Sequence, residues 1–534
     1  MLLALLAAPA LAQSAPDNWK LKLDGYYRAR GFVFSHLYEG QAMPATYMQH
    51  RLRMTPELNF EDRAKFFMTI DGLDGVIWGD NQSLASTALF AGDPSYTGLE
   101  GTEVAPIQLE RVWTEFKVPV GLVRVGRQGS HWGMGLLAND GNGLDNDLFG
   151  ENKFGSTYDR AIFATRPITV ATTIASMVSP KAKAIDVPLI AAVGVDRLVE
   201  DPLIQYYGYS CSIDNPDDGC PDTEQHDVTE ERDEERRTDK WWVDPRDDVF
   251  EMIYVLMYKT DGQKFGKSLV GDVTLGTYIV NRMQAETDSN VLIVDGYGKL
   301  ELAGVLAEFE ILSITGETHA ITLANAEAPE DPFLKKAGIA GGVARLGWQN
   351  EVFTGMAEAG FASGDDDVTD ADFTGRPLHP DHNVGLLLYE EIVARVTSEG
   401  WGEDARGLWS NGGVYNSKYI YPNVRFRPMK GWELVGAVLV AWPDKPDGAF
   451  VLCGEDDDAE CPVMDAQSDI LGWEVDVGVH HKWADHMNFV LEAGHAHATD
   501  RLPLESTGLE TELNDDGRPY GNYFTVQSRI AYEF

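Results

Sequence analysis

Apolar and polar residues alternate with a period of two through most of this chain. At its end Phe524, Val526, Ser528, Ile530, Tyr532 and Phe534 interleave with Thr525, Gln527, Arg529, Ala531 and Glu533, so one face suits lipid and the other water. Met48, His50, Leu52, Met54 and Leu58 alternate with Gln49, Arg51, Arg53, Thr55 and Glu57 in the same way. Phe250, Met252, Tyr254, Leu256 and Tyr258 form another apolar face, as do Trp473, Val475, Val477 and Val479. The pattern predicts strands near 20–35, 47–60, 63–77, 107–118, 120–135, 158–166, 168–176, 249–259 and 270–283. Further strands are expected near 290–302, 305–314, 336–348, 351–361, 418–428, 432–442, 470–482, 486–497 and 523–534.

The connections carry a second signal. Every other one is short, at Glu61-Asp62, Pro119, Arg166-Pro167, Ala303-Gly304, Gln349-Asn350, Met429 to Gly431 and Ala484-Asp485. Those between are mostly long, as in 78–106, 177–248, 362–417, 443–469 and 498–522. Such alternation fits short periplasmic turns and long extracellular loops, and a soluble sandwich or propeller has no reason to show it. The expected fold is all-β, a transmembrane antiparallel β-barrel over 20–534 with about eighteen strands, sixteen being the alternative count. No apolar run of eighteen residues exists that could cross a membrane as a helix. Residues 1–12, MLLALLAAPALA, read as a signal peptide ending in an A-x-A site and truncated at its N-terminus. Residues 13–19 then form a periplasmic N-terminal segment, and the expected location is the outer membrane of a Gram-negative bacterium. The terminal Tyr532 and Phe534 are similar to the signal that barrel-assembly machinery reads.

Charge changes the picture in two ways. The 534 residues hold 43 Lys plus Arg against 85 Asp plus Glu, a net charge of −42 that excludes nucleic acid as a partner. Much of the negative charge falls in the expected outer loops, at 214–239, Asp365 to Asp367 and Glu455 to Asp458. These runs read as a solvated surface, with calcium binding as the sharper alternative, although none has EF-hand spacing. No cofactor is indicated. Cys211 with Cys220 and Cys453 with Cys461 read as loop-closing disulfides of an exported chain.

The water-facing positions behave differently. By parity Arg28, Arg30, Arg51, Arg53, Arg63, Lys65, Arg111, Lys117, Arg124, Arg282, Arg345, Arg425, Arg427 and Arg529 fall on the lumen face. Arg127 is taken with them as part of an anion pathway. Asp24, Glu57, Glu115, Glu474 and Asp476 share that face, so the arginines serve either an anion-attracting pore or wall ladders between strands. Loop 362–417, with its apolar segment Val384 to Tyr389, is the leading candidate gate. The Gly-rich stretch from Val125 toward Asn146 could also fold inward. Five histidines, His480, His481, His486, His495 and His497, cluster late in the chain, but no GxSxG or HExxH motif accompanies them. The chain is therefore not expected to be an enzyme.

Glu358 to Asp365, EAGFASGD, followed by Pro380 to Leu388, PDHNVGLLL, resembles the alginate-export family of outer-membrane porins, and Arg124 to Gln128 is similar to it as well. The resemblance implies an eighteen-stranded barrel with a basic lumen, gated by loops, that passes an anionic polyuronate. It implicates Arg124, Arg127, Gly364 and Asp365 in the pore and gate, with Asn383 and Leu387 on the gate loop. The expected function is a channel for anionic solutes or an anionic polysaccharide, with membrane lipid and lipopolysaccharide as surroundings. The alternative is a structural or surface-interaction barrel with a plugged lumen.

Overall fold

A computed structural model of the chain describes residues 19–35, 45–61, 63–74, 78, 107–153, 155–179, 181–200, 249–265, 269–285, 287–319, 334–366, 370–399, 410–446, 468–502, 512–513 and 519–534. The signal peptide, both cysteine pairs and the acidic runs 214–239 and 455–458 lie outside the described residues.

The first strands are β1 (Trp19–Ser35), β2 (Ala45–Phe60), β3 (Ala64–Gly72), β4 (Ile107–Val118), β5 (Gly121–Gly129), β6 (Thr157–Thr165) and β7 (Leu189–Glu200). Then come β8 (Phe250–Phe265), β9 (Leu269–Gln284), β10 (Ser289–Leu302), β11 (Val305–Thr318), β12 (Lys335–Gln349) and β13 (Phe353–Ala362). The last are β14 (Asp372–Phe373), β15 (Ser417–Met429), β16 (Trp432–Pro443), β17 (Gly472–Trp483), β18 (Met487–Ala498), β19 (Glu512–Leu513) and β20 (Pro519–Glu533). The two-residue strands β14 and β19 are side additions, on β12 and β20. The other eighteen pair antiparallel in chain order, and β20 returns to β1 with Tyr27 opposite Tyr532. The barrel is closed, so no strand edge is left unpaired in the wall.

Side-chain alternation sorts the two faces. Leu256, Leu275, Phe309, Ile311, Leu346, Val477, Leu491 and Ile530 are exposed on the outer surface. Trp19, Trp348, Trp432, Trp483 and Phe534 ring the end at which β1 starts, β20 ends and the short turns lie. This apolar band with an aromatic girdle is what lipid requires of a barrel wall. Two of the tight turns, at Ala303-Gly304 and Ala484-Asp485, hold both residues at positive φ, the geometry that matches strand twist in a two-residue hairpin. Val477 sits midway along β17 and is 55% exposed to lipid. Val477→Arg should lower barrel stability by about 2–4 kcal/mol, read by denaturant unfolding in vesicles.

One expected strand is wrong. Residues 168–176 form a helix, α1 (Pro167–Val178), and the seventh barrel strand is instead Leu189–Glu200. The β-branched run suggested a strand, but Pro167 stands in the first turn of the helix, where a missing N–H costs nothing. Thr172 and Thr173 turn their hydroxyls back onto the carbonyls of Ile168 and Thr169. Arg166-Pro167 thus begins a helical connection at the short-turn end and is not itself a tight turn. The real β7 was hidden because Ala191, Ala192 and Gly194 blur its alternation. The stretch expected as a strand over 120–135 also ends early, at Gly129, where the chain turns into the lumen.

Candidate functional site: a two-loop plug in the lumen

The hydrophobic core of this protein lies inside the barrel. Trp132, Leu136, Leu137, Leu148 and Phe149, from the β5–β6 connection, are buried against Leu378, Val384, Leu386, Leu387, Leu388, Tyr389, Ile392 and Val393 from the β13–β15 connection. Both connections fold inward and meet. His379 donates its backbone N–H to the Leu136 carbonyl at 2.8 Å, and Lys153 N–H reaches Asp381 Oδ1 at 2.8 Å. The Asn146 side-chain amide donates to the Asp381 carbonyl at 2.9 Å. Within the second loop Leu388–Val393 and Ala394–Glu399 form one short helical run.

Wall carboxylates hold both loops by their backbone amides. Glu474 on β17 accepts from Leu386 at 2.6 Å, Leu387 at 2.8 Å and Leu388 at 2.6 Å. Glu310 on β11 accepts from Met134 and Leu136, while Asp295 on β10 accepts from the Trp132 indole at 2.9 Å. Glu492 on β18 accepts from Gly150 at 3.1 Å. Two glycines make this close approach possible. Gly133 (φ 57°) lies against Glu310, and Gly385 (φ 85°) is placed so that a Cβ would come within 2.9 Å of Glu474.

The arginines hold the first loop by its carbonyls and carboxylates. Arg28 and Arg30 grip Glu151, the latter at 2.7 Å, and Arg51 reaches the Asn152 carbonyl at 3.1 Å. Arg53 reaches the carbonyl of Gly141 at 3.1 Å, Arg111 that of Asp140 at 2.6 Å, and Arg529 those of Leu144 and Gly150 at 3.1 Å each. On the opposite wall Arg345 and Arg425 clamp Asp147 at 2.6 Å and 3.0 Å. Burial in this loop, helped by repulsion from Arg30, pushes the Lys153 ammonium down to about 8.

The other candidate residues are wall ladders. Lys65 pairs with Glu57 at 2.8 Å, Arg124 with Glu115 at 2.9 Å, Arg282 with Glu251 at 2.6 Å and Arg427 with Glu433 at 2.7 Å. Two lumen assignments are corrected. Arg127 faces outward, because residues three apart on a strand lie on opposite faces, and it pairs with Asp159 at 2.9 Å on the outer surface. Arg63 precedes β3 in the turn, with its side chain 79% exposed beside Glu61.

Of the gate-loop residues, Leu387 is fully buried on Glu474, and Asn383 donates to Glu390 at 2.6 Å. Gly364 and Asp365 sit further out, where Gly364 N–H reaches Asp444 and Asp365 accepts from Thr374 N–H. Among the candidate assembly residues, Tyr532 and Phe534 stack at 6.3 Å between ring centroids on the outer surface. Glu151, Glu310, Asp145 and Asp147 were not singled out from the sequence. For Asp145, Asp147 and Glu151 the one cue is a Gly-rich loop that also holds Trp132, Leu136-Leu137 and Leu148-Phe149, too apolar for an outer loop.

Similar solved structures include Pseudomonas aeruginosa OccK2 (OpdF) in complex with glucuronate, at 9% identity over 96% of each chain and a TM-score of 0.45. Pseudomonas aeruginosa OpdK with vanillate is 8% identical over 96% of this chain and 98% of that one, with a TM-score of 0.46. A BenF-like porin from Pseudomonas fluorescens Pf-5 matches at 8% identity, 96% and 98% coverage and a TM-score of 0.46. No protein-family model and no curated protein matches the chain.

Proposed function

We propose that this chain is an outer-membrane channel for anionic solutes whose lumen is closed by the two inward loops. One observation carries the reading: the arginines of β1 and β20 meet in the lumen and are held there by a carboxylate of the chain itself, Glu151. A loop carboxylate on a cluster of guanidiniums occupies the position that a permeating anion would take. The loop is attached to the wall by hydrogen bonds and ion pairs and by no covalent link among the described residues, so withdrawal needs no bond broken. By the alginate-export resemblance, an anionic polysaccharide is a second candidate cargo for the same path.

The test is conductance of the purified protein in a planar bilayer under a salt gradient. An anion-favouring reversal potential, with a larger conductance after removal of 363–416, is the expected result. Cation preference would overturn the anion pathway.

The apolar core inside the barrel favours a second reading, a permanently plugged barrel acting as a surface scaffold. It predicts that removing 363–416 yields a folded barrel that still does not conduct.

A further inference from the structure

The arginine cluster has donors left over. Register places Arg28 opposite Arg51, Arg30 opposite Arg529 and Tyr26 opposite Arg53, all on the lumen face. Most of their capacity is used. Arg51 binds Asp74, Arg53 binds Asp71, Arg28 and Arg30 share Glu151, and Arg529 holds Asp145 with the Leu144 and Gly150 carbonyls. The Tyr26 hydroxyl, Arg28 Nε and Arg529 Nε are fully buried and have no hydrogen-bond partner among the described residues. The residues carrying them are 8%, 3% and 4% exposed. Leu144 of the inward loop packs on Tyr26 and Ala531, giving the place an apolar roof.

The charges close by are mixed. The five guanidiniums Arg28, Arg30, Arg51, Arg53 and Arg529 ion-pair with four carboxylates, Asp71, Asp74, Asp145 and Glu151. Glu391 lies within electrostatic range of Arg30, and Glu533 within range of Arg529. The Tyr26 phenol lies within electrostatic range of Arg28, Arg51, Arg53 and Arg529.

We propose that Tyr26, Arg28 and Arg529 form a buried binding site for a monatomic anion, chloride or another halide. Arg28 Nε–H and Arg529 Nε–H only donate, the Tyr26 hydroxyl can donate, and a halide only accepts. An anion is also drawn to the neighbouring guanidiniums more strongly than a neutral water molecule is. The ion would sit between the wall and the loop, and its loss would leave three buried donors unmet. Occupancy does not depend on conduction, so the site stands or falls separately from the channel reading.

The experiment uses the full chain in detergent. Unfolding temperature is followed as chloride replaces gluconate at constant ionic strength, and crystals grown in bromide are measured at the bromine absorption edge. A saturable rise in Tm, with an anomalous peak beside the Tyr26 hydroxyl, is expected. Tyr26→Phe keeps the ring and removes one donor, so its chloride midpoint should rise about tenfold. A Tm insensitive to chloride, or a bromide map empty at this position, overturns the site and leaves bound water there. An anomalous peak with equal midpoints in both proteins means an adventitious ion only, and also overturns it.

Discussion

Glu474→Ala should open the lumen. The carboxylate of Glu474 is fully buried and accepts three consecutive amide hydrogen bonds from Leu386, Leu387 and Leu388. Hydrogen bonds to a charged group contribute roughly 1.5–3 kcal/mol each, and removing their shared acceptor leaves three buried N–H groups unmet. The three are not additive, so docking of the second loop is expected to weaken by on the order of 3–5 kcal/mol. That moves the docked-to-released ratio by more than about a hundredfold. The wall keeps its full ladder, because Glu474 faces the lumen and its strand pairs with β16 and β18 through the backbone. Single-channel recording should therefore show a larger or more frequent open level, with faster hydrogen exchange at 384–396. Glu474→Gln keeps an acceptor oxygen and should fall between the two. Unchanged conductance with unchanged exchange would mean that the apolar contacts of Leu386 to Tyr389 hold the loop without this carboxylate.

How much of this could be read from the sequence follows from the range of each interaction. The barrel was legible because period two is local: Thr525, Gln527 and Arg529 declare their face without knowledge of their neighbours. The alternation of short and long connections then set the number of strands and the end at which each loop lies. The expected strand at 168–176 fails because β-branched composition and a helix-starting proline disagree there, and the proline prevails. Arg127 departs for a simpler reason: the motif joins it to Arg124, and strand parity separates them. The plug was largely illegible. Its defining contacts join residues far apart in sequence, such as Arg30 to Glu151 and Met134 to Glu310. Nothing local distinguishes Glu151 from the many acidic residues of a chain carrying −42. The second loop was the better candidate gate from sequence because Val384 to Tyr389 is a visible apolar run. The first loop proves equally engaged, and the arginines hold that one.

Removing Glu151 should act on selectivity more than on the wall. Its carboxylate is 2% exposed, contacts Arg28 and Arg30, and lies 3.9 Å from Arg529. Taking one partner from a buried ion pair costs about 3–5 kcal/mol, chiefly because the remaining charge is left buried without compensation. In Glu151→Gln the guanidiniums can relieve that cost in two ways, by releasing the loop so that water enters or by recruiting a mobile anion. Either route leaves the cluster with one carboxylate fewer and so more strongly anion-attracting. The reversal potential under a salt gradient should shift toward the anion limit, and the shift should shrink as ionic strength screens the cluster. The direction of this shift separates the two roles available to lumen arginines. If they were only ladders bracing neighbouring strands, losing Glu151 would lower the unfolding midpoint and leave selectivity where it was. If they line a path, selectivity moves while the eighteen-strand ladder, which Glu151 does not join, keeps the barrel folded.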